Sequence, residues 1–298
     1  MVAGIVLLYF GGDLLVKNAV ALARQLGVSS LVIGLTVVAF GTSAPELAAT
    51  LASALGGVPE IAIGNIVGSN TANIGLILGL TALVYPLQGS ALFVRREVPI
   101  TILVGAFLVP LLWDGVVSRL EGALLLILLS GYLGFLFRKG EEPEEEADAQ
   151  RPVWQALLLI GLGVLLLVGG ARALVTGAVT IAQALGVPEK VIGLTLVAFG
   201  TSLPELASSV IAALKRETDI ILGNIVGSNL FNVLAVLGTT ALVTPVPQVF
   251  AEIRPDIIVM IAFSVVVLPL MLRRSRLGRV GGAVLFAGYL VYIGYLFV

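Results

Sequence analysis

Shifted by 159 positions, this sequence lies on itself. Residues 32–86 align with residues 191–245 without a gap, and 33 of the 55 aligned positions are identical. Shared hydrophobicity alone does not produce that identity, so the chain is expected to hold two copies of one structural unit.

The solvent of that unit follows from the residues around it. Of the 298 residues, 58% are hydrophobic and 12% charged, where an ordinary soluble domain carries about 25% charged residues. Such a chain cannot cover a water-facing surface, and its apolar runs must face lipid. They suggest about ten spans of roughly 17–25 residues, near 2–26, 30–55, 60–84, 98–113, 119–137, 154–184, 190–214, 219–243, 253–272 and 278–297. The first begins at Val2 with no basic residue before Lys17, so it reads as a retained span rather than a signal peptide.

Five spans separate equivalent points of the repeat. An odd number predicts opposite orientations for the two halves, the inverted-repeat plan of many secondary transporters. Basic residues agree independently. With the N-terminus outside, thirteen of the 17 Lys and Arg residues fall on the inner side, from Lys17 and Arg24 to Arg276 and Arg279. Arg119, Arg172, Lys190 and Arg254 remain outside, and inner loops carry the basic excess. The fold class expected is an all-α membrane protein of about ten helices with discontinuous core helices. Residues 1–137 form the first repeat, with its motif at 34–86, and residues 154–298 the second, with its motif at 193–245. An acidic cytoplasmic linker, 138–153, joins them, and both termini lie outside. The acidic run 141–148 reads as a solvated tether, because like charges in a block repel.

Composition also limits the chemistry. The chain has no Cys and no His, which excludes disulfides, thiolate nucleophiles, imidazole ligands and histidine proton relays. Carboxylates, hydroxyls, amides and backbone oxygens remain, and these hard ligands suit calcium or alkali cations. A net charge of −1 points to no nucleic-acid partner.

The repeat concentrates such groups. One part reads Ala39-Phe40-Gly41-Thr42-Ser43-Ala44-Pro45-Glu46, mirrored by Ala198-Phe199-Gly200-Thr201-Ser202-Leu203-Pro204-Glu205. A carboxylate at membrane depth costs at least about 2–3 kcal/mol and marks function by default. Pro45 and Pro204 each lack a backbone donor and are expected to bend or break the helix. Carbonyls around Ala39 and Ala198 would then turn into a cavity, the one membrane setting that tolerates irregular backbone besides burial in protein. Thr42, Ser43, Thr201 and Ser202 place hydroxyls beside each carboxylate. A single intramembrane glutamate can also sit protonated between helices, but two matched copies favour a cation site.

The other part reads Gly64-Asn65-Ile66-Val67-Gly68-Ser69-Asn70 followed by Asn73, mirrored by Gly223-Asn224-Ile225-Val226-Gly227-Ser228-Asn229 followed by Asn232. The glycines read as close-packing surfaces. Asn73 lies four residues after Ser69, and Asn232 four after Ser228, so each pair shares a helix face. That pairing serves either cation ligation or helix bridging. Asp13 and Arg172 occupy equivalent positions with opposite charge and read as snorkelling or path-lining residues, and Lys17 as an inner anchor.

These two motifs, in two copies, resemble the alpha repeats of the cation/calcium antiporter superfamily, with closest similarity to its prokaryotic sodium/calcium exchanger branch. They cover about 90 residues, and the ten-span topology extends the likeness along the chain. The resemblance implies exchange of calcium for sodium by alternating access, with two long tilted helices sliding past a compact core. It implies that Glu46, Glu205 and the carbonyls of Thr42 and Thr201 hold calcium. Ala39, Ala198, Ser43, Ser69, Ser202 and Ser228 would serve sodium, with Asn73 and Asn232 lining the middle. Some relatives carry aspartate where this chain has Asn232, which bears on ion number. It further implies a prokaryotic plasma-membrane location and no cofactor beyond the transported ions. Rival classes are a calcium/proton or other cation antiporter, a cation channel, which would more often surround its pore with several subunits, and an intramembrane enzyme, for which no nucleophile–base pair is apparent.

Overall fold

The computed structural model describes residues 1–57, 60–139, 152–186, 198–272 and 274–296. Most of the linker and the start of the expected 190–214 span lie outside the described residues.

The helices are α1 (Val2–Leu26), α2 (Ser30–Thr42), α3 (Ala44–Leu55), α4 (Ile61–Val84), α5 (Val98–Leu111) and α6 (Arg119–Lys139). After the linker come α7 (Val153–Ala184), α8 (Leu203–Lys215), α9 (Thr218–Val243), α10 (Phe250–Leu272) and α11 (Arg279–Leu296). Among the described residues, seven helices are long and apolar enough to cross a bilayer by themselves, and α2–α3 adds an eighth as a pair bent by 43°. The helix in the expected 98–113 span is short, with 14 α-helical residues, but a π-helical turn, Phe93–Glu97, precedes it directly. Leu120 (83% exposed) and Val280 (81%) face outward, as lipid-facing side chains must.

Local chemistry sets several ends. α1 stops where Gly27 takes φ 64°, a left-handed conformation that lets its N–H cap the Ala23 and Arg24 carbonyls. The Ser29 hydroxyl then accepts from the Val32 N–H at 3.4 Å and opens α2.

Two long helices, α1 and α7, pack backbone to backbone. A Cβ on Gly4 would sit 2.8 Å from the Gly170 carbonyl oxygen, and one on Gly11 2.9 Å from that of Gly163. The reverse distances are similar, so both glycine pairs are sites of mutual close approach, the usual way for helices to associate in lipid. Asp13, on α1, forms a 2.6 Å ion pair with Lys215 at the end of α8, both side chains partly exposed. To its sequence reading as a snorkelling or path-lining residue the structure adds a partner on another helix. Lys17 and Arg172 are exposed.

The helices carrying the asparagine motif are central. The most apolar 18-residue window is 94% buried in α9 and 78% in α4, against 17% in α11. Gly223 and Gly227 on α9 bring α2 close: an added Cβ would lie 2.6 Å from the Leu31 oxygen or 2.7 Å from the Leu35 oxygen. The expected packing role therefore holds for these two. Gly64 and Gly68 meet no described atom within 4 Å, and the repeat mates of Leu31–Leu35 are themselves outside the described residues.

Short strands tie the halves together. β1 (Leu87–Gln88) pairs antiparallel with β4 (Arg276–Leu277), and β2 (Val116–Val117) with β3 (Val246–Pro247). Positions 87 and 246 differ by 159, as do 117 and 276, so each strand pairs with the mate of its counterpart's partner. Buried Glu97, ion-paired with Arg96, accepts a hydrogen bond from Tyr132 and fastens α5 to α6. Asp256, 159 residues later, accepts from Tyr292 at 2.8 Å and fastens α10 to α11.

Candidate cation site

The helix break forms where the proline requires it. Ser43 has φ −81° and ψ 2°, outside the helical well, and Ala44 and Pro45 begin α3. Proline suits a first turn because the missing N–H is unpaired there anyway. Ser202 repeats this with φ −88° and ψ 3°, ahead of Pro204 in α8. The Ala39 carbonyl is not freed as expected: it accepts the Ser43 N–H at 2.9 Å. The next backbone bond across the break runs from Leu47 to the Ser43 carbonyl at 3.1 Å. The carbonyls opened by the break are therefore those between them, including Gly41, which would have bonded the amide that Pro45 lacks, and Thr42. In the second copy, the Ser202 N–H reaches the Phe199 carbonyl at 3.2 Å and Leu206 that of Ser202 at 3.1 Å. This leaves Gly200, the mate of Gly41, in the corresponding place. The side chain of Ala198 lies outside the described residues.

Each break aims its glutamate inward. Glu46 and Glu205 are both 1% exposed. The hydroxyl partners are crossed. Ser202 donates to Glu46 Oε1 at 3.4 Å, and Ser43 donates to Glu205 Oε1 at 3.5 Å. Sequence adjacency suggests hydroxyls serving their own glutamate; the structure brings them to the opposite one, because the two breaks meet face to face. Thr201 is also within hydrogen-bonding reach of Glu46. Thr42 is likewise within reach of Glu205, and it donates to Asn224 Oδ1 at 3.0 Å, which binds the first break to α9. Asn224 in turn donates to Ser208 and Ser209 at 3.3 Å each, and Asn65 to Thr50 at 2.9 Å.

α4 and α9 complete the site. Ser202 Oγ lies 3.5 Å from Ser69 Oγ, linking the break at Ser202 to α4. Ser69, Ser228, Asn73 and Asn232 are all buried. Each asparagine begins a π-helical turn, Asn73–Leu78 in one copy and Asn232–Leu237 in the other. Such single-turn bulges concentrate at functional sites.

The unpaired atoms define what the cavity wants. Glu46 Oε2, Glu205 Oε2, Asn73 Oδ1, Asn232 Oδ1 and Ser228 Oγ are buried with no hydrogen-bond partner. Four of the five are pure acceptors, and buried acceptors left unmatched are costly. No basic side chain ion-pairs with either glutamate among the described residues. Two carboxylates, with no cluster of three acidic groups among the described residues, fit one divalent or two monovalent cations amid neutral oxygens. Asn70 and Asn229, which the sequence set aside from the site, sit directly behind Asn73 and Asn232. Their only sequence signal is membership of the repeated Gly-Ser-Asn.

Comparison with known proteins accords with this donor set. The family profile described as sodium/calcium exchanger protein matches residues 1–138 and 155–298. The chain belongs to the sodium/calcium exchanger family. It is an integral membrane antiporter of that family, with cation transport as the family's business. Inner membrane protein YrbG of Escherichia coli (strain K12) is 37% identical, covering 100% of this chain and 95% of that protein. Sodium/calcium exchanger MaX1 of Methanosarcina acetivorans is 33% identical, covering 100% and 97%. Among solved structures, the sodium-calcium exchanger NCX_Mj superposes with TM-score 0.87 at 36% identity, covering 98% of this chain and 96% of that one.

Proposed function

We propose that this exchanger moves calcium against sodium by alternating access, with both ions competing for the cavity between Glu46 and Glu205. The observation that carries the reading is the pair of buried carboxylates, each with an unpartnered oxygen and no basic counterion among the described residues. One Ca²⁺ balances both, as do two Na⁺. Calcium accepts six to eight oxygen ligands, and the candidate donors are Glu46, Glu205 and the carbonyls at Thr42 and Thr201. Ser43, Ser69, Ser202 and Ser228 would complete sodium positions with the backbone near Ala198 and the Ala39 carbonyl, whose oxygen keeps a second lone pair beside its helix bond, with Asn73 and Asn232 at the centre. Empty, the carboxylates repel each other across the cavity, so an unloaded site crosses poorly and the two ion flows are coupled.

The architecture proposed is ten spans in two inverted repeats, residues 1–137 and 154–298, joined by a cytoplasmic linker. Exchange of strand partners between halves supports it, as do the Glu97–Tyr132 and Asp256–Tyr292 clasps, whose acids lie 159 and whose tyrosines lie 160 residues apart. The basic-residue bias puts both termini outside a plasma membrane. The gating element is α1 with α7, joined through Gly4, Gly11, Gly163 and Gly170.

Reconstituted vesicles loaded with sodium and diluted into sodium-free buffer with labelled calcium, at equal pH on both sides, test the reading. Calcium uptake that follows the sodium gradient is expected. Uptake that ignores sodium and follows an imposed pH gradient would replace it with a calcium/proton antiporter, and currents far above transporter turnover would indicate a channel.

A further inference from the structure

Behind the two central asparagines lies a second pair whose hydrogen bonds run between the repeats. Asn73 Nδ2 donates to Asn229 Oδ1 at 3.0 Å, and Asn232 Nδ2 donates to Asn70 Oδ1 at 3.0 Å. Asn70 Nδ2 is itself engaged, donating to the Asn229 backbone oxygen at 3.2 Å. All four side chains are buried, at 1–3% exposure. The atoms left over are Asn73 Oδ1 and Asn232 Oδ1, which have no partner.

An asparagine amide is nearly isosteric about its last torsion, yet its two ends are opposite in polarity. Turned one way, the side chain offers a cation an oxygen; turned the other, it offers two N–H groups that repel it. Asn232 cannot turn here without bringing its oxygen against Asn70 Oδ1. Asn70 cannot answer by presenting its Nδ2, because that group is committed to Asn229. From the other side, turning Asn73 would bring its oxygen against Asn229 Oδ1.

We infer that Asn70 and Asn229 are positioning residues that lock the amides of Asn232 and Asn73 with their oxygens toward the cation cavity. The inference rests on the cation site proposed above. A neutral side chain at position 232 can then serve a cation because a neighbour imposes its orientation, whereas a carboxylate there would need no such control.

The test compares labelled-calcium binding to purified protein in detergent, with sodium-driven uptake as a second readout. Asn70→Leu removes the acceptor at similar volume and is expected to weaken calcium binding about tenfold or more, as loss of an outer-shell partner does. In an Asn232→Asp background both ends are oxygens and no orientation can be lost, so adding Asn70→Leu should not weaken binding and should relieve the oxygen–oxygen contact with Asn70 Oδ1, a coupling that a double-mutant cycle reads directly. Asn229→Leu, with and without Asn73→Asp, repeats the cycle from the other half and preserves the Asn229 backbone oxygen if Asn70→Leu folds poorly. Equal losses in both backgrounds would mean a packing role only and overturn the inference, as would unchanged binding in both single variants. A wild-type protein that neither binds calcium nor exchanges it would overturn the cation-site reading itself.

Discussion

Glu205→Gln separates binding from folding. The wild-type carboxylate is 1% exposed, touches Ser43 at 3.5 Å through Oε1, and leaves Oε2 unpartnered. Glutamine keeps the shape but removes one of two charges and puts an N–H₂ group where an oxygen was needed. Breaking one partner from a buried charge pair costs about 3–5 kcal/mol. At 1.4 kcal/mol per tenfold, calcium affinity should fall roughly a hundredfold to a few thousandfold. Sodium carries half the charge, so its Coulombic loss is about half as large and calcium selectivity should fall as well. Without cations the variant should be at least as stable as wild type, because an uncompensated buried charge has been removed. Thermal unfolding in detergent with titrated calcium measures both effects. At a calcium concentration that stabilises wild type by about 2.7 kcal/mol, a hundredfold weaker site yields only about 0.4 kcal/mol. Equal calcium stabilisation of the variant would refute the placement of Glu205 in the site.

Glu46→Gln should behave like Glu205→Gln, since both carboxylates face the same cavity, and the same titration checks it. Cysteines at positions 147 and 298 of this cysteine-free chain should label from opposite sides of intact cells; same-side labelling would contradict the inverted repeat. Gly11→Leu should lower thermal stability by about 1–3 kcal/mol or more through overpacking, because its Cβ would meet Leu167 N at 2.8 Å, whereas Gly161→Leu, in open space, should not. Lys215→Ala breaks a partly exposed ion pair with Asp13 and should shift unfolding stability by no more than about 1 kcal/mol.

Much of the candidate site was legible in the chain because the repeat prints it twice. Glu46 and Glu205 stand out since an apolar run rarely carries the cost of a carboxylate without a use for it, and Pro45 and Pro204 locate the breaks to within two residues. The same logic names Ser69, Asn73, Ser228 and Asn232 through helical spacing. The π-helical turns at Asn73 and Asn232 leave no trace in a spacing rule built on 3.6 residues per turn. Asn70 and Asn229 carried no helical-spacing signal towards the cavity, and their importance comes from facing each other's helix.

The sequence by itself determined the membrane setting, the duplication of its motifs and the kinds of oxygen available, because those depend on composition and on order along one chain. Which oxygen meets which was decided only by tertiary structure. Ser43 reaches Glu205 rather than Glu46, Asn73 binds Asn229, and Asn232 binds Asn70. These pairings span about 160 residues of chain. They exist because two like units cross at the centre and exchange partners, a relation that no local pattern contains.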